Sequence, residues 1–175
     1  MSKVKSILEF AMRMELGARD FYNYYGNVSQ SEETIKTFGE LAEIENKHYL
    51  HLKKKYDDLG FEEAPKSISW VVDDTSRAVD PSILASNSDL IAGGDADGGK
   101  ANSDISIIRM AFLIENDFAE FYSKAIDAVA EQDLKVFLAE LRDWELGHKE
   151  LFYKKYKVLL NEQWGDIASI LEASK

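Results

Sequence analysis

The residues Glu145-Leu146-Gly147-His148 lie within a stretch, 134–160, whose apolar spacing predicts one long helix. A glutamate and a histidine three positions apart lie on the same face of a helix, one turn from each other. That face is otherwise apolar, because spacings of three and four connect Glu145 and His148 with Leu134, Leu138, Leu141, Phe152, Tyr156 and Leu159. A carboxylate and an imidazole therefore occupy positions where leucine or phenylalanine is expected.

The same four-residue pattern occurs one hundred residues earlier as Glu45-Asn46-Lys47-His48. Shifting residues 7–60 by one hundred also matches Glu15 with Glu115, among further identities. Shared helical patterning explains the apolar matches, but it does not explain polar residues on an apolar stripe. The chain has only three histidines, and two of them occupy this matched position. The pattern indicates an internal duplication of a helical hairpin.

Periodicity and turn signals predict a single all-α domain, with four long helices arranged as two antiparallel hairpins. Ser29 or Ser31 can begin the second helix, and Gly60 is typical of a left-handed helix end. The connection between the hairpins contains both prolines and a cluster of glycines, and it is long enough to cross the bundle. The predicted segments of the domain 1–175 are a hairpin at 4–60, a crossover at 61–102, a hairpin at 104–161 and a C-terminal segment at 162–175.

Three shorter features complete this prediction. Asp80 followed by Pro81 can start a short helix within the crossover. Asn102 or Ser103 is expected to cap the third long helix, which would begin at about Asp104. A separate short helix is expected at 164–173, packing its apolar residues on another part of the molecule or on a partner subunit.

Composition narrows the possible functions. The chain has no cysteine, which excludes disulfides, thiolate zinc sites and cysteine-ligated iron–sulfur centres within it. Its formal net charge is −11, so nucleic acid is not expected as a partner. No apolar run is long enough for a membrane span or a secretory signal, so a cytoplasmic location is expected.

The duplicated glutamates raise an energetic problem. Burying one unpaired carboxylate costs several kcal/mol, and the whole stability of a domain is about 5–15 kcal/mol. Four carboxylates on apolar stripes therefore need compensation by protons or by metal cations. Two divalent cations would neutralise all four, and two neutral imidazoles would complete the ligand set. Oxygen and nitrogen ligands without sulfur suit iron or manganese, and zinc is possible.

Di-iron and di-manganese bundles use one glutamate from each of two helices and Glu-x-x-His from each of the other two. This chain has that set in the same helix order. The segments Met14-Glu15-Leu16-Gly17-Ala18-Arg19-Asp20-Phe21-Tyr22 and Ile114-Glu115-Asn116-Asp117-Phe118-Ala119-Glu120-Phe121-Tyr122 are similar to the first and third helices of rubrerythrins. The chain thus resembles the ferritin-like superfamily, and within it the rubrerythrin-like proteins, over residues 4–60 and 104–160.

The resemblance implies a ferritin-like four-helix bundle that binds two iron ions, with manganese or zinc as other possible metals. Its metal ligands would be Glu15, Glu45, His48, Glu115, Glu145 and His148. In that family's arrangement, Glu45 and Glu145 would bridge the two metals. Glu15 with His48 would complete one metal site, and Glu115 with His148 the other. Tyr22 and Tyr122 would either hydrogen-bond ligand carboxylates or serve as ordinary core aromatics.

The function implied is that of a non-haem di-iron oxidoreductase that reacts with H2O2 or O2, as a peroxidase or a ferroxidase. A homodimer is expected as well. Rubrerythrins also carry a cysteine-ligated rubredoxin-type centre, which this chain lacks, so a peroxidase would need an external electron donor. A further family glutamate is replaced by Phe118, which makes the ligand set more symmetric. The alternatives are iron binding or storage without separate substrate turnover, and a bundle whose site performs no chemistry.

Three residues near the ligands receive structural interpretations. His51, one turn after His48, is interpreted as a surface histidine. Trp144 is interpreted as a packing residue. Glycine costs about 1 kcal/mol relative to alanine within a helix, so Gly147 needs an explanation. Close approach of two helices is one reason that would explain it.

Overall fold

A computed structural model describes residues 3–29, 31–62 and 98–173, and that part of the chain is helical apart from short turns. Its helices are α1 (Lys3–Val28), α2 (Glu32–Asp58), α3 (Gly98–Ala128) and α4 (Gln132–Ala173). α1 packs along α2 and α3 along α4, which confirms the all-α bundle of two hairpins. None of the described helices has the length and apolarity needed to cross a membrane. The short helix predicted within the crossover lies outside the described residues.

The ends of α2 follow the local sequence signals. Ser31 is the N-cap, and its hydroxyl accepts a hydrogen bond from the backbone N–H of Thr34 at 3.3 Å. α2 ends at Asp58, and Gly60 follows with a φ of 74°, a conformation that glycine adopts without strain. The backbone N–H of Gly60 donates to the carbonyl of Asp57 at 2.9 Å and so satisfies one of the last carbonyls.

Two predicted boundaries were wrong. α3 begins at Gly98 rather than near Asp104, so neither Asn102 nor Ser103 is its N-cap. α4 continues to Ala173, so the predicted separate helix at 164–173 is the end of α4. Both prolines lie outside these two helices, at positions 65 and 81. A single glycine such as Gly165 weakens a helix by about 1 kcal/mol but does not end it.

The apolar core is divided into two clusters, each built from all four helices. One cluster contains Leu8, Ala11, Met12, Leu52, Tyr56, Tyr122, Ala125, Val129, Leu134, Phe137, Leu138 and Leu141. The other contains Ala18, Tyr22, Phe38, Leu41, Ala42, Ile107, Ile108, Ala111, Phe118 and Phe152. The matched glutamates and histidines lie along the helices between these clusters, so a polar layer crosses the middle of the bundle.

Two ion pairs connect α2 with α4 at opposite ends of the bundle. Lys55 Nζ lies 3.0 Å from Asp133 Oδ2, and Lys155 pairs with Glu33. Adding one hundred to Lys55 and to Glu33 gives Lys155 and Asp133. The ion pairs are therefore copies of one another, and they show that the hairpins are related by an approximate twofold axis.

Candidate metal centre

Four glutamates meet at the centre of the bundle, one from each helix, and each is 0% exposed. α2 and α4 also supply a histidine one turn after their glutamates. The structure thus brings together the six residues grouped from the sequence, namely Glu15, Glu45, His48, Glu115, Glu145 and His148. No predicted metal ligand lies outside this cluster.

The first half of the cluster surrounds His48. Its Nδ1 lies 3.1 Å from Glu45 Oε2, 3.2 Å from Glu145 Oε1 and 3.6 Å from Glu15 Oε2. One ligand atom from each of these four residues lies within 4.8 Å of the others. The group therefore draws on α1, α2 and α4, so it spans both hairpins.

The second half surrounds His148 in the same way. Its Nδ1 lies 3.3 Å from Glu145 Oε2, 3.4 Å from Glu45 Oε1 and 3.4 Å from Glu115 Oε2. These four residues also offer ligand atoms within 4.8 Å of one another. Glu45 and Glu145 belong to both groups, and each directs one oxygen to one histidine and the second oxygen to the other.

The spacing of these atoms suits metal ions. Ligand atoms about 2.0–2.2 Å from one divalent ion lie about 2.8–3.1 Å apart at neighbouring corners of an octahedron and about 3.3–3.6 Å apart in a tetrahedron. The imidazole-to-carboxylate distances in the cluster are 3.1–3.6 Å. Among the described residues, no hydrogen-bond partner is found for Glu15 Oε2, Glu45 Oε1, Glu115 Oε2, both oxygens of Glu145 and His148 Nδ1. Buried polar atoms of this kind need a proton or a cation, so the donor set fits a pair of divalent ions.

Protons are the other source of compensation, and the histidines can hold them. Burial favours the neutral imidazole of His48, but the surrounding carboxylates, Glu145 first among them, raise its pKa to about 12. Burial likewise opposes the charging of His148, and the carboxylates led by Glu115 raise its pKa to about 10. Without a metal, both imidazoles are therefore charged at neutral pH.

Two glutamates are shifted toward the neutral acid. Burial raises the pKa of Glu115 to about 7, although His148 acts to lower it. Burial also raises the pKa of Glu45 well above its usual range, against the hydrogen bond with His48. The folded cluster therefore binds more protons than the unfolded chain does. Metal ions that bind here must displace those protons.

Two buried tyrosines contact the ligand carboxylates from across the bundle. The hydroxyl of Tyr22 donates to Oε1 of Glu115, and the hydroxyl of Tyr122 donates to Oε1 of Glu15. Burial, reinforced by the accepting carboxylate, raises both tyrosine pKa values well above the usual value, so both remain neutral donors. Each hydrogen bond joins one hairpin to the other, a pairing that the sequence did not indicate.

A cavity of about 550 Å³ adjoins the cluster on its histidine side, between α2 and α4. Its walls include Lys47, His48, His51, Trp144, Gly147 and His148. The glutamates are fully buried, whereas the side chain of His148 is 14% exposed. The histidine side is therefore where the cluster comes closest to the surface.

Sequence reasoning gave no role at the site to two residues that line this cavity. His51 is half-buried, its ring centroid lies 4.9 Å from that of Phe137, and its Nε2 is buried without a hydrogen-bond partner in the described part of the chain. The interpretation of His51 as a surface histidine was therefore wrong. Trp144 stacks on His48 with ring centroids 4.9 Å apart and is 41% exposed. Two features of the sequence pointed to these residues. Trp144 directly precedes Glu145, and His51 follows His48 by one helical turn.

A four-helix bundle with one buried glutamate per helix and two matched histidines defines the ferritin-like class of carboxylate-rich metal-binding bundles. The family model described as Rubrerythrin matches residues 6–156. The chain therefore belongs to the rubrerythrin family. No curated protein matches it significantly.

One solved structure, a hypothetical protein from Pyrococcus furiosus, is similar to the chain over most of its length. The two sequences are 27% identical, the match covers 91% of each chain, and the TM-score is 0.67. The description of that protein states no activity. The comparison therefore supports the fold and adds nothing about the reaction.

Proposed function

We propose that this chain is a non-haem di-iron protein whose centre reacts with H2O2 or O2, as a peroxidase or a ferroxidase. The observation that supports this most strongly is the sharing of Glu45 and Glu145 between two four-residue ligand groups. Two carboxylates that each direct one oxygen to either histidine suit two adjacent metals rather than one. The absence of sulfur from the ligand set favours iron or manganese.

Two ferrous ions, when bound, supply electrons for the reduction of H2O2 or O2. Glu45 and Glu145 would hold the two ions side by side, and each histidine would complete one position. The tyrosine hydroxyls fix the orientation of Glu15 and Glu115, so these carboxylates need little rearrangement when a metal binds. The two apolar clusters that flank the glutamates keep bulk water from their side of the centre.

Return of the centre to the ferrous state needs an electron source. The sequence contains no cysteine, so it cannot itself form a cysteine-ligated iron relay. We therefore propose that an external electron donor serves this protein if it turns over peroxide. A ferroxidase would instead obtain its electrons from the ferrous ions that it oxidises.

Anaerobic titration with Fe(II) tests the proposal. Binding should saturate at about two irons per chain, and H2O2 or O2 should then produce the absorption of a ferric pair. Light scattering before and after iron loading distinguishes a small oxidoreductase from a storage particle that holds many irons. If the purified chain binds no divalent metal, the proposal is wrong.

A further inference from the structure

Gly147 is a glycine within a helix, and the backbone does not require it. α4 continues through this position, and the glycine with a positive φ in the described residues is Gly60. A Cβ added at Gly147 would meet no atom within 4 Å, so no neighbouring helix requires its absence. The interpretation of a close helix approach was therefore wrong. A glycine here weakens the helix without improving its packing.

The open space beside Gly147 adjoins the cavity next to the metal ligands. Gly147 forms part of the cavity wall together with His48 and His148. Its counterpart in the first hairpin is Lys47, which lies on the α2 side of the same cavity. One wall of the cavity thus carries a long side chain at this position, and the other wall carries none.

We propose that this cavity is the route by which small oxidants reach the centre, and that Gly147 keeps the route open. The inference rests on the proposed function, because the ligand cluster is the destination of the route. The four glutamates are 0% exposed, so the histidine side is the accessible side of the cluster. The cavity has a volume of about 550 Å³, and a water molecule occupies about 30 Å³ in the liquid, so H2O2 or O2 fits with room to spare.

The wall chemistry suits a small polar oxidant. All three histidines of the chain line this cavity, at positions 48, 51 and 148. An imidazole that binds a metal through one ring nitrogen keeps an N–H donor on the other, and H2O2 accepts hydrogen bonds. Trp144 contributes an indole ring that stacks on the ring of His48. The route is therefore lined by imidazoles next to the ligands and bounded on one side by the Trp144 ring.

The test uses protein loaded with Co(II), whose visible absorption reports its ligands, and azide as the small probe. Gly147→Ala and Gly147→Leu place progressively larger side chains at the cavity wall. Gly39 provides the matched control, because it lies within α2, a Cβ there also meets no atom within 4 Å, and it is not a cavity residue. Gly39→Ala and Gly39→Leu therefore make the same chemical change in an equally open helical position away from the cavity.

The rate at which azide changes the cobalt absorption is measured by stopped flow. Gly147→Leu should slow it by about tenfold, within the range over which association rates vary among related variants. Gly147→Ala should slow it less, and the Gly39 variants should retain the unmodified rate. Equal azide rates in Gly147→Leu and the unmodified chain would overturn the route while leaving the dinuclear centre intact. Failure of the unmodified chain to bind Co(II) would overturn the centre and the route together.

Discussion

The α1–α2 and α3–α4 hairpins are alike where they face the metal ligands and different where they face the cavity. Glu15, Glu45 and His48 recur at positions one hundred residues later, and so does Tyr22. Apart from His48 and His148, the cavity walls do not follow this rule, and Lys47 is matched by Gly147. The duplicated residues build a symmetric ligand layer, and the unlike residues make one side of that layer accessible.

Other unlike pairs add to the same asymmetry. Ile44 on the α2 side of the cavity is matched by Trp144 on the α4 side, and His51 is matched by Leu151. A strictly symmetric pair of hairpins would place the same groups on both walls. The difference teaches that the two metal positions need equivalent ligands, so the ligand residues are duplicated. A route from the surface needs no such symmetry.

The largest expected effect is the loss of bound metal when a shared glutamate is replaced, compared with a glutamate that belongs to one group only. Glu145 contacts both histidines, whereas Glu115 contacts His148 alone among the ion pairs of the described residues. Glu145→Ala should therefore abolish binding of both metals, while Glu115→Ala should leave one of the two. Metal content after equilibrium dialysis against Fe(II) or Co(II) measures this difference.

The exposed Glu140 of α4 supplies the control for this comparison, and Glu140→Ala should keep both metals. Circular dichroism should show that the helices remain formed in each variant. If Glu145→Ala retained two tightly bound metals, the assignment of Glu145 as a bridge would be wrong.

Protonation offers a second way to compare the two halves. In the metal-free protein, His148 with a pKa of about 10 should lose its proton before His48, whose pKa is about 12. NMR titration of the imidazole C–H signals measures this order. Simultaneous titration would show that the two halves are electrostatically equal, contrary to this prediction.

The same shifts determine how the stability of the metal-free protein depends on pH. The pKa values of Glu115, His148 and His48 are all raised by folding, so the folded state binds more protons than the unfolded state. The contribution of Glu115 is fully present below about pH 4.5 and is lost as the pH rises through about 7. The contribution of the histidines is fully present below about pH 6.5 and is lost as the pH rises through about 10 and 12.

The free energy of unfolding of the metal-free protein should therefore fall as the pH rises from about 5 to about 10. Urea denaturation in the presence of a chelator, repeated across this range, measures the slope. The metal-loaded protein is the control and should show a flatter profile, because metals replace the protons. Stability of the metal-free protein that rose with pH would contradict this account of the cluster.

Replacing Tyr22 or Tyr122 tests whether a residue of one hairpin controls the metal affinity near the histidine of the other hairpin. Tyr22→Phe removes a donor from Glu115 and should weaken the metal position near His148 by about 10–100-fold. Tyr122→Phe removes the donor from Glu15 and should weaken the position near His48 instead. Isothermal titration with Co(II) resolves the two affinities.

The 40% exposed Tyr24 provides a matched control for both substitutions, and Tyr24→Phe should leave the two affinities unchanged. A tyrosine variant that weakened the metal position of its own hairpin would contradict the crossed hydrogen bonds.

The ligand layer could be predicted from the sequence because it carries two independent signals. A buried carboxylate is costly, so Glu45 and Glu145 are conspicuous on an apolar stripe, and the repeat shows that they belong together. The crossed hydrogen bonds of Tyr22 and Tyr122 could not be predicted in the same way. Their partners depend on how the two hairpins pack, and helical periodicity leaves that packing undetermined.

The cavity and two of the helix ends could not be predicted from the sequence either. The cavity is a gap between α2 and α4, and its size depends on helix rotation and crossing angle rather than on any one residue. The sequence analysis predicted a helix start near Asp104 and a separate helix at 164–173, but no proline forces a boundary at either place, and both helices extend through them. Weak capping signals leave such boundaries uncertain by several residues.

The smallest expected effect concerns the two copied ion pairs. Lys55 and Lys155 each pair with an exposed carboxylate, and exposed pairs contribute little to stability. Lys55 also lies 5.7 Å from the ring centroid of Phe137, and the counterpart of that residue is Thr37, which has no ring. Lys55→Ala should therefore lower the urea midpoint slightly more than Lys155→Ala. Added salt should screen both ion pairs, whereas the contact of Lys55 with the Phe137 ring should persist. Equal urea midpoints for the two variants at high salt would show that the ring contact adds nothing.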